Sequence, residues 1–409
     1  MNTRMNRNRL NIGTYFLHDY ARSEKHVREM KACGIDFVVC FDNDRKVLDL
    51  FQKYGIGAVL TGIVPGWWGG NGDNAGTMAD TRPLQLYNAA AAQFEDHPAV
   101  WGIDIGDEPS ARDFAHYGRV FDTVNRAFPM QFPYVNLYPN YASVAQNTSD
   151  QTVNQLGTTT YEEHIEEYVK NFPADYICYD FYLYSFNVNS AYENLRIVSD
   201  ACLRSGRSMW IVLQVNSNRP EEWISENELR FQAFGAMAFG AENIIWACYT
   251  AGWWHHQVLD AHGEKTEQYD KLSRVNREIH TIAQGYSDFR RTATHFVGFD
   301  GTEWLKGVNQ TSKSALDTGI FFDVHAAERT PLVIGQMVSK ANDGSYALMI
   351  AAADDPYDRQ QKDVTVTFRT DSRAVTALGG DGYLPVDRDE NGYYSVKIRS
   401  NAGVLIVAR

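Results

Sequence analysis

Between Asn11 and about Ala283 the chain alternates apolar, β-rich runs with helix-like segments, and few folds accept that rhythm. The strand candidates are residues 12–17, 35–41, 56–63, 99–106, 133–138, 176–183, 209–215 and 243–249. Helical patterns fill the intervals at 23–33, 45–54, 84–95, 111–128, 161–172, 192–204, 229–239 and 266–283. Several carry their own punctuation: Ser23 opens one helix and Gly34 follows it, Gly55 closes the next, and Ser225-Glu226-Asn227-Glu228 is a capping box. Eight strands alternating with eight helices predict an α/β fold of the (β/α)8 barrel type. An open doubly wound sheet would place a Gly-x-Gly-x-x-Gly turn after the first strand, and the sequence has none there.

After Gly285 the helical spacing stops. Short alternating runs at 333–338, 346–352, 364–368, 393–398 and 404–408 are separated by turn signals such as Asn342-Asp343-Gly344 and Glu390-Asn391-Gly392. They predict a C-terminal antiparallel β-sandwich over 286–409, behind a barrel over 1–285. Its strands carry no clear aromatic platform, which favours a buttress over a binding module.

The net charge of −13 argues against nucleic acid or an anionic membrane as partner. No run has the length of a membrane span. Residues 1–11 lack the apolar core of a secretory signal, so cytoplasmic residence is expected, or secreted or periplasmic residence if a signal has been removed. Five widely spaced cysteines predict reduced thiols and no zinc site, and no metal or cofactor is expected. The oligomeric state is left open.

Within the barrel, Val100-Trp101-Gly102-Ile103-Asp104-Ile105-Gly106 ends in Asp107-Glu108-Pro109. A buried strand thus breaks into two adjacent carboxylates, and buried charge is costly unless paired or used. Active sites of such barrels lie at the C-terminal strand ends. Those ends supply Asp42, Trp67, Trp68, Asp107, Glu108, Asn136, Tyr138, Asp180, Tyr182, Gln214, Trp246, Trp253 and the pair His255-His256. Carboxylates move protons, amides hold hydroxyls and flat rings stack on pyranose faces, so this mixture points to a carbohydrate substrate. Phosphate recognition would ask for cations or a glycine-rich loop, which these ends lack.

Asp107-Glu108-Pro109 resembles the strand-four Asn-Glu-Pro of clan A glycoside hydrolases, whose Glu is the general acid/base. Asp175 to Tyr182 and Phe239 to Trp246 are similar to segments of family 42 β-galactosidases. The resemblance implies a glycoside hydrolase with Glu108 as general acid/base. It departs at two places: Asp107 stands where the clan has Asn, and strand seven ends in Gln214 where the clan has its nucleophilic Glu. Either Asp180 supplies the second carboxylate, or Asp107 and Glu108 act as the Asp-Glu pair of substrate-assisted N-acetylhexosaminidases. A carbohydrate-binding barrel without catalysis is the remaining alternative. Asp42, Trp67, Trp68, Asn136, Tyr138, Tyr182, Gln214, Trp246 and Trp253 are the expected substrate contacts. Trp67 can equally plug the core, and Gln214 can equally satisfy barrel backbone.

Overall fold

The computed structural model describes residues 4–94, 96–144, 154–184, 188–299, 308 and 311–409. Eight parallel strands form the barrel: β1 Asn11–Tyr15, β2 Phe37–Phe41, β3 Gly57–Leu60, β4 Val100–Asp107, β5 Phe132–Asn136, β6 Tyr176–Phe181, β7 Ser208–Gln214 and β8 Ala241–Ala247. They run in the order β5-β4-β3-β2-β1-β8-β7-β6. A side chain closes the seam between β5 and β6. The Tyr176 hydroxyl donates to Pro133 O at 2.7 Å and accepts from Val135 N at 3.1 Å, and Leu137 N donates to Cys178 O above it.

The helices form where caps satisfy their first amides. Ser23 and His26 make a capping box at Glu24–Ala32, Asp44 accepts two backbone N–H groups at Arg45–Tyr54, and Ser225 and Glu228 box the start of Glu226–Ala238. Thr160 and Glu163 form a further box at Tyr161–Asn171. The helix expected over 84–95 ends at Ala91, and Glu95 lies outside the described residues. The strand expected over 56–63 stops at Leu60, because Trp67–Gly69 takes the pairing position beside the end of β4. No helix among the described residues is long and apolar enough to cross a membrane.

The last barrel helix, Glu267–Tyr286, leads into ten antiparallel strands: β9 Phe289–Val297, β10 Phe321–Ala326, β11 Leu332–Ser339, β12 Tyr346–Ala352, β13 Asp363–Thr370, β14 Val375–Gly379, β15 Gly382–Leu384, β16 Asp387–Arg388, β17 Tyr394–Arg399 and β18 Gly403–Ala408. They make a six-stranded sheet, β15-β14-β18-β12-β11-β9, and a four-stranded sheet, β10-β13-β17-β16. The central strands β12 and β18 of the larger sheet are buried on both faces. Along β12, Leu348, Ile350 and Ala352 face the smaller sheet, while Ala347, Met349 and Ala351 join the barrel's own core. The barrel helix Glu226–Ala238 is caught between barrel and sheet and is buried on every side from Asn227 on. Arg230, at its centre, binds both carboxylate oxygens of Glu278 at 2.7 and 2.8 Å and reaches Glu226 at 2.8 Å.

Candidate active site

The mouth is organised by an irregularity in β4. Asp104 pairs with Tyr134 and Gly106 with Val135, so Ile105 is one residue too many, a β-bulge. In a regular strand residues 104 and 107 would face opposite sides of the sheet. The extra residue puts both carboxylates inside the barrel. Asp104 lies deeper, accepting from Gly106 N at 3.0 Å and from the Cys40 thiol at 3.5 Å. Glu108 then turns out of the strand at a φ of +45°. That conformation costs a non-glycine residue about 1–2 kcal/mol, and strain of this kind concentrates at functional sites. Its own N–H is fixed by Asn136 O at 2.8 Å.

The loop after β3 completes the turn. Asp107 N donates to Trp67 O at 2.7 Å, and Gly69 N donates to Asp107 O at 3.0 Å. Gly69 has no room for a side chain, since a Cβ there would lie 1.8 Å from the Glu108 carbonyl oxygen. Trp68, 56% exposed, aims its indole N–H at Glu108 Oε2 at 3.1 Å. Trp67 is buried beneath the loop, and Tyr138 ties the loop down by donating to Gly70 O at 2.6 Å.

Three carboxyl groups meet here. The Asn136 amide donates one hydrogen to Asp107 at 3.1 Å and the other to Asp180 at 2.8 Å. Tyr141 donates to the second Asp180 oxygen at 3.3 Å, and the Glu108 and Asp180 carboxyls lie close enough to share a proton when either is protonated. Asp180 is only 1% exposed, whereas Asp107 and Glu108 are half-buried and open to the mouth. Burial, then the charges of Asp180 and Asp107, push the Glu108 carboxyl well above the usual range, with Trp68 opposing. Burial and Asp180 raise Asp107 to about 7, against Asn136. Burial alone raises Asp180 and Asp104 to about 6, over the hydrogen bonds that favour their anions. The site therefore holds protons that free carboxylic acids would have lost at neutral pH.

Beside the acids, through Tyr15 near Asp107 and Tyr182 near Asp180, stands an aromatic wall. Trp253, 36% exposed, meets Tyr15, Phe16, Tyr182 and Trp254 edge-on at ring separations of 5.8 to 6.2 Å. Two expected substrate contacts lie elsewhere. Gln214 is fully buried in the barrel wall, accepting from Tyr184 N and donating to Asn216 O. Trp246 points outward from β8 and donates to Asn276 on the last barrel helix at 2.8 Å. Asp42 sits exposed at the rim in an ion pair with Arg22 at 2.8 Å. Asn136 and Tyr138 spend their polar atoms on the acids and the loop. Tyr141, Tyr15 and Phe16 were not anticipated. Tyr141 had a signal in the sequence, the aromatic stretch Tyr138-Pro139-Asn140-Tyr141 straight after β5.

No protein-family model and no curated protein matches the sequence. Among solved structures, one described as a glycoside hydrolase is similar along 98% of this chain and 92% of its own, at 10% identity and a TM-score of 0.52. A family 2 β-galacturonidase of Eisenbergiella tayi covers 66% of this chain and 51% of its own length, at 12% identity and a TM-score of 0.45. An endoglucanase of Pseudomonas stutzeri covers 64% and 93%, at 14% identity and a TM-score of 0.41. At 10% identity the likeness to the first is one of fold, and it extends over both the barrel and the C-terminal sheets of this chain.

Proposed function

We propose that the protein is a glycoside hydrolase in which Glu108 protonates the leaving oxygen and Asp180 is the second carboxylate. The observation that carries this reading is the state of Glu108. It is only partly buried at the mouth, where the Trp68 indole reaches it, yet burial and two neighbouring carboxyls favour its protonated form. A general acid has to arrive at the bond with its proton. Asp180, almost inaccessible, holds that proton in place, while water attacks the anomeric carbon and passes its proton to ionised Asp107 at the mouth. The solved glycoside hydrolase that shares the architecture supports the reading, and the resemblance to family 42 makes β-galactosides the first substrates to try.

Acid catalysis matters in proportion to the basicity of the leaving group. Glu108→Ala should therefore slow an aryl glycoside with a phenol leaving group by about 10²–10⁴-fold, and one with a dinitrophenol far less. Equal losses on both, or none, would remove Glu108 from that role.

One observation favours a second, substrate-assisted reading. β7 offers no carboxylate, and Asp180 is only 1% exposed with both its oxygens bonded, so the group best placed beside Glu108 is Asp107. Asp107 would orient a 2-acetamido group acting as nucleophile. Comparison of a 2-acetamido glycoside with its 2-hydroxy twin decides: equal rates exclude substrate assistance.

A further inference from the structure

The charges around the mouth are lopsided. No lysine or arginine occurs in residues 61–81, 127–169, 171–195 or 231–264, the stretches that include the strand ends and loops of β3, β5, β6 and β8. Two arginines on other strand-end loops are occupied. Arg22 is bound by Asp19 at 2.7 Å and Asp42 at 2.8 Å. Arg219 is bound by Glu222 at 2.8 Å and lies 3.7 Å from Glu228. The mouth itself holds Asp104, Asp107, Glu108 and Asp180, and every group that raises Asp107 or Glu108 besides burial is another carboxyl. A carboxylate or sulfate on a bound sugar would add to that repulsion, and no cation is among the chief groups acting on Asp107 or Glu108, Arg112 on the loop after β4 reaching the Asn154 side chain at 3.2 Å instead. An ammonium would relieve it.

We propose that the site sorts sugars by charge: it admits uncharged glycones and 2-amino glycones carrying an ammonium, and turns away uronates and sulfate esters. The proposal rests on the glycoside hydrolase reading of the same site and adds the class of sugar. It places the discrimination in the carboxyls of the mouth and the cation-poor loops around them.

The test uses nitrophenyl glycosides in gluco and galacto configuration, each as the hexose, the 2-amino-2-deoxyhexose and the hexuronic acid, at pH 7.5 where imidazoles are neutral. The matching thioglycosides, which resist hydrolysis, are titrated calorimetrically into the intact protein. The hexuronide is expected to show kcat/KM lower than the hexoside by on the order of 10²-fold, with the gap narrowing as salt rises. Thioglycoside affinities should follow the same order, with the amino sugar at least equal to the hexose. A hexuronide turned over or bound as well as the hexoside would overturn the proposal. If no glycoside is cleaved while the thioglycosides keep that order, the hydrolase reading fails and the sorting by charge stands.

Discussion

Two charge clusters, one between barrel and sandwich and one at the barrel mouth, are built in opposite ways. Where the barrel meets the sandwich, Arg230 is 2% exposed and lies between Glu278 and Glu226, with Arg274 closing the far side of Glu226. Burial alone would raise the Glu226 carboxyl, but Arg274 and Arg230 outweigh it and hold Glu226 below its usual value. At the mouth, Asp104, Asp107, Glu108 and Asp180 face one another, and amides, hydroxyls and an indole are their donors. All four are shifted upward. A matched cluster fastens two layers together. A mismatched one stores protons at some cost in stability, which is worth keeping only if the protons are used.

Substitution separates the two clusters most sharply at their centres. Glu108→Gln is expected to lower kcat by about 10²–10⁴-fold on any glycoside the protein cleaves, with sugar binding intact by calorimetry. Arg230→Met should do the reverse. It leaves Glu278 and Glu226 without their shared cation, at about 3–5 kcal/mol in denaturant unfolding, with the rate per folded molecule unchanged.

A smaller contrast lies in pH. Asp104, Asp107 and Asp180 have folded-state values of about 6 to 7, above the unfolded value of 3.8. Their contribution to stability is fully present below the unfolded value and is lost as pH rises through 6 to 7. Asp104→Asn should flatten that decline in melting temperature, by an amount equivalent to roughly 3 kcal/mol between pH 4 and 8. Trp68→Phe is the mildest change. The indole hydrogen bond favours ionised Glu108, so its loss should move the alkaline limb of the pH–rate profile upward and alter kcat only a few-fold.

The barrel was legible because each strand-and-helix unit announces itself by period and cap. The sandwich was legible along β11, β12 and β18, which are largely buried, and along β13 and β17, whose burial alternates cleanly with the sequence. β9, β10 and β14 to β16 were not, since their mixed burial blurs the alternation. At the site, Asp107, Glu108 and Asp180 fell at strand ends, and the structure brings them together. Side-chain direction was harder to read. Trp246 and Gln214 stand at the ends of β8 and β7 but face outward or into the wall, and a strand position alone does not say which face the local twist presents. The β4 bulge was equally hidden, although Gly106, at a φ of +145°, marks where it lies.

The central claim is that the mouth keeps Glu108 protonated for use as an acid. The direct measurement is a pH titration of the Glu108 carboxyl carbon in ¹³C-glutamate-labelled protein, assigned with Glu108→Gln. This signal is expected to titrate well above the ordinary glutamate range, and to move down towards it when Asp180→Asn removes the charge beside it. A Glu108 signal that titrates like an exposed glutamate, unaffected by Asp180→Asn, would contradict it.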